Sequence, residues 1–507
     1  MAGMQHRGSF AQPDVIIVGG GFVGLTTAVA LAKNSARSVL VLEARSSTDP
    51  RFRGELIHAH GVRSLKALGL DHVLEAAGAA RAYGFAVMTD HVGEVIQLSY
   101  PNGYGLAIDH HEMVHALRKE ASSLHNVQLM TGVRIVDFVR KDSAICGVVA
   151  DDGREFLAPL TVVADGRHSR LRPLTGLAEV AKLLSFTAAV KVKNTELPRA
   201  NYGTVMVGAP GPILAYQIKE NEIRMCLDVP TNRAKGSRPA LLAMLKNEYA
   251  QYVPQPLRDA MVAAIDDGQV ELCANQAITT ERCVVEGAVL LGDAAGCSHP
   301  LSATGMTIGL VDALSLRDAL NDQSAENSLQ KVLLQHEVRR YRYSRAREIL
   351  AQALYDVFLG ATPGAALLRD GMFRYWRANA RGRTASMALL AGEDSRITSF
   401  AREYVTVLFD AMGAINSACD QLPAASRAET SKILRASAWK TAREPLTRSI
   451  QTGWTEVRRA FSYRPITAPL AHTPGPTTTQ NSVNANESIL PRRTEPTGSG
   501  RSSSNRT

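Results

Sequence analysis

Cysteine is sparse: six in 507 residues, at 146, 226, 273, 283, 297 and 419, with no C-x-x-C pair among them. That spacing argues against a structural zinc site and a disulfide framework, and a reducing compartment is expected. No apolar run reaches the roughly 18 residues a spanning helix needs. The first residues lack the charged cap, apolar stretch and small-residue cleavage site of a secretory signal, so a cytoplasmic location is expected. No internal repeat is visible. With 45% apolar and 21% charged residues, the chain is neither mostly disordered nor collagen-like. Its length allows two to four domains.

Positive charge is unevenly placed. The net charge is +9, and residues from Ala425 to Thr507 hold 13 Lys or Arg against 5 Glu and no Asp. A basic end on a neutral body does not suggest a nucleic-acid-binding core; it suggests an appendage that meets an anionic surface, or a solvated tail. Residues 1–12 are polar and are expected to be loose. Residues 466–507, rich in Pro, Thr, Ser, Asn and Gly, are expected to be disordered.

Between these ends the pattern opens β-α-β: an apolar run from Asp14 to Val18, glycines, a helical stretch from Leu25 to Ala32, and a strand from Val39 to Leu42. Strands are expected near 127–140, 145–150 and 160–164, then at Thr187–Val192, Thr204–Val207 and Ile213–Ile218. Residues 237–266 read as helix. The strand Ala288–Leu291 precedes a second glycine-rich turn and a helix to Leu320, and 329–461 reads as helical throughout.

Three motifs carry chemistry. The first is Gly19-Gly20-Gly21-Phe22-Val23-Gly24, a G-x-G-x-x-G between a strand and a helix. Such glycines let backbone amides approach a pyrophosphate at a helix N-terminus. Glu43 ends the next strand, 19 residues after Gly24, where a carboxylate can accept both ribose hydroxyls. The second runs from Pro159 to Asp165, Gly166 and Arg167; alone, its Asp-Gly reads best as a hairpin turn. The third is Gly292-Asp293-Ala294-Ala295, then His299-Pro300 and Gly305-Met306-Thr307. Here the Asp can hold a ribityl hydroxyl, and the helix N-terminus can stabilise negative charge on a reduced flavin ring.

In this order the motifs resemble those of flavin monooxygenases with the p-hydroxybenzoate hydroxylase fold. The resemblance narrows to the squalene epoxidase family on Arg51-Phe-Arg-Gly54-Glu55-Leu56-Ile57, on Ala158 to Gly166, on His299-Pro-Leu with Gly305-Met-Thr307, and above all on Ile349-Leu-Ala-Gln-Ala-Leu-Tyr-Asp-Val-Phe358. It runs from about Asp14 to about Gly392. It implies an α/β chain: a Rossmann-like FAD-binding domain from residues 13–82, 108–182 and 276–328, an inserted β-sheet substrate domain from 83–107 and 183–275, and a C-terminal helical region over 329–465. FAD contacts are implied for Gly19, Gly21, Phe22, Val23, Gly24, Glu43, Arg51, Arg118, Val133 (through its backbone), Asp165, Asp293 and Met306. The implied activity is insertion of one O2-derived oxygen, through a C4a-hydroperoxyflavin, into an alkene or electron-rich ring of a large apolar substrate, isoprenoid or prenylated. NAD(P)H is the implied electron source, direct or through a separate reductase. A flavin-dependent reductase of isoprenoid chains and a flavin-binding protein without turnover are the alternatives.

The chain also departs from the family pattern. The family's Gly-Glu-aliphatic-aliphatic-Gln-Pro-Gly-Gly is here Gly54 to Gly61 with His58, Ala59 and His60 inside it, so the active-site Gln is His58. The family's nearby Asn-Gly-Tyr is Tyr83-Gly84-Phe85, so its phenol is missing or displaced. Its Gly-Gly before Gly-Met is Ala303-Thr304. His58, Phe85, Tyr83, His299 and Pro300 are therefore the substrate-side candidates, and no residue is assigned a catalytic role. No metal is expected: His110, His111 and His115 lack supporting ligands. Ser298-His299 lacks a nucleophile elbow. Arg339–Arg345 reads as a solvated or salt-bridged helix face. Tyr404–Met412 and the basic-aromatic segment from Lys432 to Phe461 suggest peripheral contact with a membrane surface.

Overall fold

The computed structural model describes residues 12–48, 50–89, 94–322, 328–360, 362–419 and 424–461. Residues 1–11 and 466–507, expected to be loose and disordered, lie outside the described residues.

Four-residue runs of β-branched and leucine side chains, buried on both faces, build a parallel sheet. Its strands lie in the order Val284–Val285, Ala288–Leu290, Leu160–Val163, Val15–Val18, Val39–Glu43 and Val127–Thr131, with Val15 opposite both Val39 and Leu160. Only Val284–Val285 runs antiparallel, to Ala288–Leu290. Helices Phe22–Ala32, His110–Ser123 and Gly305–Asn321 pack around this sheet. The expected hairpin at Asp165-Gly166 does not form. Leu160–Val163 lies parallel to Val15–Val18, and the turn leads into helix Leu171–Leu174.

A second, seven-stranded sheet has the order Val270–Thr280, Glu179–Lys193, Glu222–Pro230, Ile213–Lys219, Gly203–Met206, Gly84–Met88, Val95–Ser99. The two longest strands run past the expected boundaries at 182 and 275. They pair from Glu179 with Thr280, and a register shift at Leu183/Ser185 marks where they enter the sheet proper. The helix expected over 237–266 is broken in two: helical turns run from Arg238–Met244 on through Leu245–Tyr249 and Ala250–Tyr252, and helix Leu257–Asp266 follows, because Pro254 and Pro256 between them cannot donate backbone hydrogen bonds.

The C-terminal part is helical: Leu329–Phe358, Pro363–Ala378, Ala380–Ala391, Ile397–Cys419 and Ala424–Phe461. One apolar cluster joins Phe85, Leu98 and Tyr100 of the large sheet to Ile349, Phe373, Trp376 and Phe400 of these helices. No helix among the described residues is long and apolar enough to cross a membrane.

Candidate active site

The three motifs converge. Gly19 has φ 110°, and a Cβ there would overlap the Ala164 carbonyl, just before Asp165 in the second motif; only glycine fits. Val23 of the first motif fills the space beside Gly292 of the third and beside Gly309 of helix Gly305–Asn321. Helix Phe22–Ala32 begins at Gly21 and helix Gly305–Asn321 at Thr304, neither with a side-chain cap, which leaves their N-terminal amides for a ligand. Glu43 is fixed by two amides: Gly20 N–H donates to Oε2 at 2.7 Å and Arg45 N–H to Oε1 at 2.9 Å. The Val133 N–H donates to the Glu43 carbonyl. Arg118 lies on helix His110–Ser123, and its Nε is buried without a partner. Asp165 accepts from Arg170 N–H through Oδ2, while Oδ1 is buried and unpaired; burial pushes its carboxyl pKa up. Arg51 is exposed on the segment before Leu56–Ile57.

Asp293 is positioned by residues that sequence reading missed. The buried Asp312 accepts from Gly292 N–H at 2.8 Å and from Arg340 at 3.1 Å. Tyr343 also donates to it. The stretch Arg339–Arg345, expected as a solvated or salt-bridged face, is salt-bridged, and its Arg340 turns inward to this buried carboxylate. Arg172 binds the second motif to the third through the Ala294 carbonyl at 3.2 Å.

On the substrate side, His58 is fully buried. Its Nε2 lies 2.8 Å from the Ser302 carbonyl and its Nδ1 2.8 Å from the Tyr100 hydroxyl. A carbonyl only accepts, so Nε2 carries the proton and Tyr100 O–H donates to Nδ1. Burial holds His58 down to about pKa 4, with the Arg347 charge adding to the effect and the Ser302 bond opposing it. The ring is neutral at physiological pH. Phe85 packs beside it at 5.9 Å between centroids. The phenol that stands beside His58 is that of Tyr100, whose hydroxyl meets Nδ1. Its sequence signal was the alternation Ile96, Leu98, Tyr100, which puts it on the face of Leu98, the cross-strand partner of Phe85.

Tyr83 is not brought to this cluster. Gly84, at φ 145°, breaks the strand alternation, and Tyr83 is 40% exposed against Tyr104. Pro300 is also exposed. Met306 lies near Gly54, and Thr307 Oγ1 accepts from His58 N–H at 3.3 Å, so His58 stands beside the third motif. Ala303 holds φ 50°, where the family pattern has glycine.

His299 is buried in a separate polar cluster. Its Nδ1 accepts from Leu301 N–H, so Nε2–H faces both Ser185 Oγ at 2.8 Å and Asp228 Oδ2 at 3.1 Å. Both partners meet one ring nitrogen, so the ring cannot relay a proton between them as a triad does. His110 and His111 bond to the Gly54 carbonyl and to Thr48. Among the described residues no group of three His, Cys, Asp or Glu could hold a metal.

The squalene epoxidase family profile matches residues 157–425 and that of FAD dependent oxidoreductases residues 14–67. Squalene epoxidase 3 of Arabidopsis thaliana is 34% identical over 416 residues, covering 79% of this chain and 78% of that protein. The chain belongs to the squalene epoxidase family. Squalene epoxidase erg1 of Aspergillus fumigatus is 30% identical, covering 72% of this chain and 79% of that protein. The fold is also that of a Klebsiella pneumoniae HpxO variant complexed with FAD (TM-score 0.64, 21% identity, 75% of this chain and 99% of that one). Pseudomonas aeruginosa PqsL in complex with 2-aminobenzoylacetate shares it too (TM-score 0.61, 22% identity, 69% and 97%). The family member described here is an FAD-dependent monooxygenase. Its residues fit that cofactor: a glycine turn in which Gly19 and Gly24 admit no Cβ, two uncapped helix N-termini, and unpaired buried atoms on Arg118 and Asp165.

Proposed function

We propose that this enzyme inserts one oxygen atom of O2 into an alkene or electron-rich ring of a large apolar substrate, isoprenoid or prenylated. The observation that carries this reading is the apolar cluster that joins Phe85 and Tyr100 to the C-terminal helices beside the neutral His58. Such a surface binds hydrocarbon and excludes water. Bound FAD, once reduced with electrons from NAD(P)H, direct or through a separate reductase, supplies the activation of O2. Glu43 would hold the ribose of FAD, the amides after Gly19 and Gly21 its pyrophosphate, Arg51, Arg118 and the Val133 backbone its outer parts, and Asp293 and Met306 its ring end. Segments 13–82, 108–182 and 276–328 would form the FAD-binding unit, and 83–107 with 183–275 the substrate unit.

The residues near the reacting end act by position and charge. His58, with both ring nitrogens engaged, presents an uncharged wall; Tyr100 spends its proton on that ring. Phe85 adds apolar surface. Product analysis under 18O2 with squalene and with a prenylated phenol tests the reading. A labelled product supports it. A saturated product would mean an isoprenoid reductase, and no turnover of any apolar substrate a binding protein.

The same reading places the enzyme on a membrane surface. Helix Ala424–Phe461 packs through Ala438 and Ala442 but leaves Trp439 and Ile450 at 52% and 64% exposure. Eleven residues apart, they return to within about 20° on a helix. Lys440, Arg443 and Arg448 flank them. In Tyr404–Met412, Tyr404, Leu408 and Ala411 are buried, and Phe409 alone is strongly exposed, so that stretch is mostly core. Replacing Trp439 and Ile450 by Glu should reduce flotation with anionic vesicles at low salt; unchanged flotation would refute the membrane role.

A further inference from the structure

Helix Leu329–Phe358 carries one charged side chain whose surroundings leave it unsatisfied. Arg347 is 2% exposed and heads the fully buried side chains by volume. Its Nη2 donates to the Gly392 carbonyl at 3.1 Å, while Nε and Nη1 have no hydrogen-bond partner. Its direct contacts among the described residues are His60, the Gly392 carbonyl and the Tyr343 ring, none of them a carboxylate; the charge of the buried Asp312 reaches it only through space. Burial pulls its pKa down to about 10, so it stays charged at neutral pH. A buried cation with unpaired donors is strongly disfavoured unless an anion completes it.

The surroundings are arranged for this group. Gly392 ends helix Ala380–Ala391 at φ 74°, and any Cβ there would overlap the guanidinium. His60, where this chain departs from the family's glycine, donates from Nδ1 to the same Gly392 carbonyl at 2.5 Å and lies 3.4 Å from Arg347 Nη2. Two donor groups thus converge on one carbonyl. Ala346 and Ile349, on either side of Arg347 in sequence, belong to the apolar cluster of Phe85 and Tyr100. Positive charge therefore stands at the edge of the apolar compartment beside His58.

We propose that the substrate is an amphiphile whose anionic group, a carboxylate or a phosphate, pairs with Arg347 while its apolar body lies against the cluster of Phe85 and Tyr100. This rests on the reading of the chain as a monooxygenase of an apolar substrate and names the substrate class. Purified FAD-loaded protein, its flavin absorbance recorded first, is titrated with farnesoic acid, its methyl ester and farnesyl diphosphate, and binding is measured by calorimetry. The acid or the diphosphate should bind about tenfold or more tighter than the ester, and whichever wins identifies the head group. In Arg347→Met that preference should fall to about twofold or less, and Arg347→Lys should keep part of it. The unliganded Met variant should be at least as stable as the parent, because it removes an unpaired buried cation. Equal binding of acid, diphosphate and ester, binding of none, or a preference that survives Arg347→Met overturns the proposal. If the Met variant does not fold, the parent's preference and the Lys variant decide. A yellow protein indifferent to the head group refutes the anion site alone; a colourless protein refutes the underlying reading.

Discussion

The half of the molecule proposed to hold FAD and the half proposed to face the substrate are built on different principles. Around the first motif, backbone does the recognition: Gly19 is shaped by the Ala164 carbonyl, and Glu43 is held by the amides of Gly20 and Arg45. Around His58, side chains from distant segments do it. Glu55 is paired with Arg224 of the large sheet, both at most 4% exposed, through bonds of 2.8 and 2.9 Å, with Tyr216 at 3.2 Å. Burial pushes the Glu55 carboxyl up against the pull of Arg224. Backbone recognition tolerates few residue types but is local. Side-chain recognition can change with a few substitutions, and this chain's departures from the family pattern, His58, His60, Phe85 and Ala303, all fall in or beside that half.

The sharpest way to break this contrast is to cut the buried side-chain pair beside His58. Arg224→Ala leaves Glu55 buried and unpaired, and should destabilise the protein by about 3–5 kcal/mol in urea unfolding. A loss under about 1 kcal/mol would mean that buried side-chain pairing does not hold this half together. Gly19→Ala must clash with backbone and adopt a positive φ. It should cost about 3 kcal/mol and strip the flavin, as read by absorbance after gel filtration.

Acid should act on both halves. His58, beside Tyr100, and His336, beside Ser315 on helix Gly305–Asn321, are both buried and held down to about pKa 4, below the unfolded value near 6.5. The unfolded chain binds more protons between those values, so stability should fall as pH drops from about 6.5 to about 4, by roughly 3 kcal/mol at most for each ring. His58→Gln should flatten that slope; an unchanged slope would show that His58 does not contribute. Glu43→Ala should weaken FAD retention by about 1–3 kcal/mol while leaving this slope alone, as read by flavin fluorescence on dilution. Smallest is Ala303→Gly. It relieves a left-handed residue and should stabilise by about 1 kcal/mol in thermal unfolding. A loss of stability would mean that the Ala303 methyl's packing outweighs its strain.

The parallel sheet, its three motifs and the run of C-terminal helices were legible in the amino-acid order. Their signals are local: short apolar runs, glycines at turns, a carboxylate at a strand end and helical periodicity. Asp165-Gly166 shows the limit of local signals, since the dipeptide alone reads as a hairpin and the parallel partner Val15–Val18 made it a strand-to-helix turn. Tyr83 and Phe85 show it again, because the conformation of Gly84 separated two residues that alternation would place together. Only the tertiary structure decided that Tyr100 supplies the phenol beside His58, that Asp312 and Arg340 fix the Gly292-Asp293 turn, and that Arg347 lies buried near Gly392. Those partners are separated by 42, 20, 28 and 45 residues. A hydrogen bond or ion pair across such a span has no period or spacing in the chain; it exists only where folded elements bring two side chains to one place and exclude water from both.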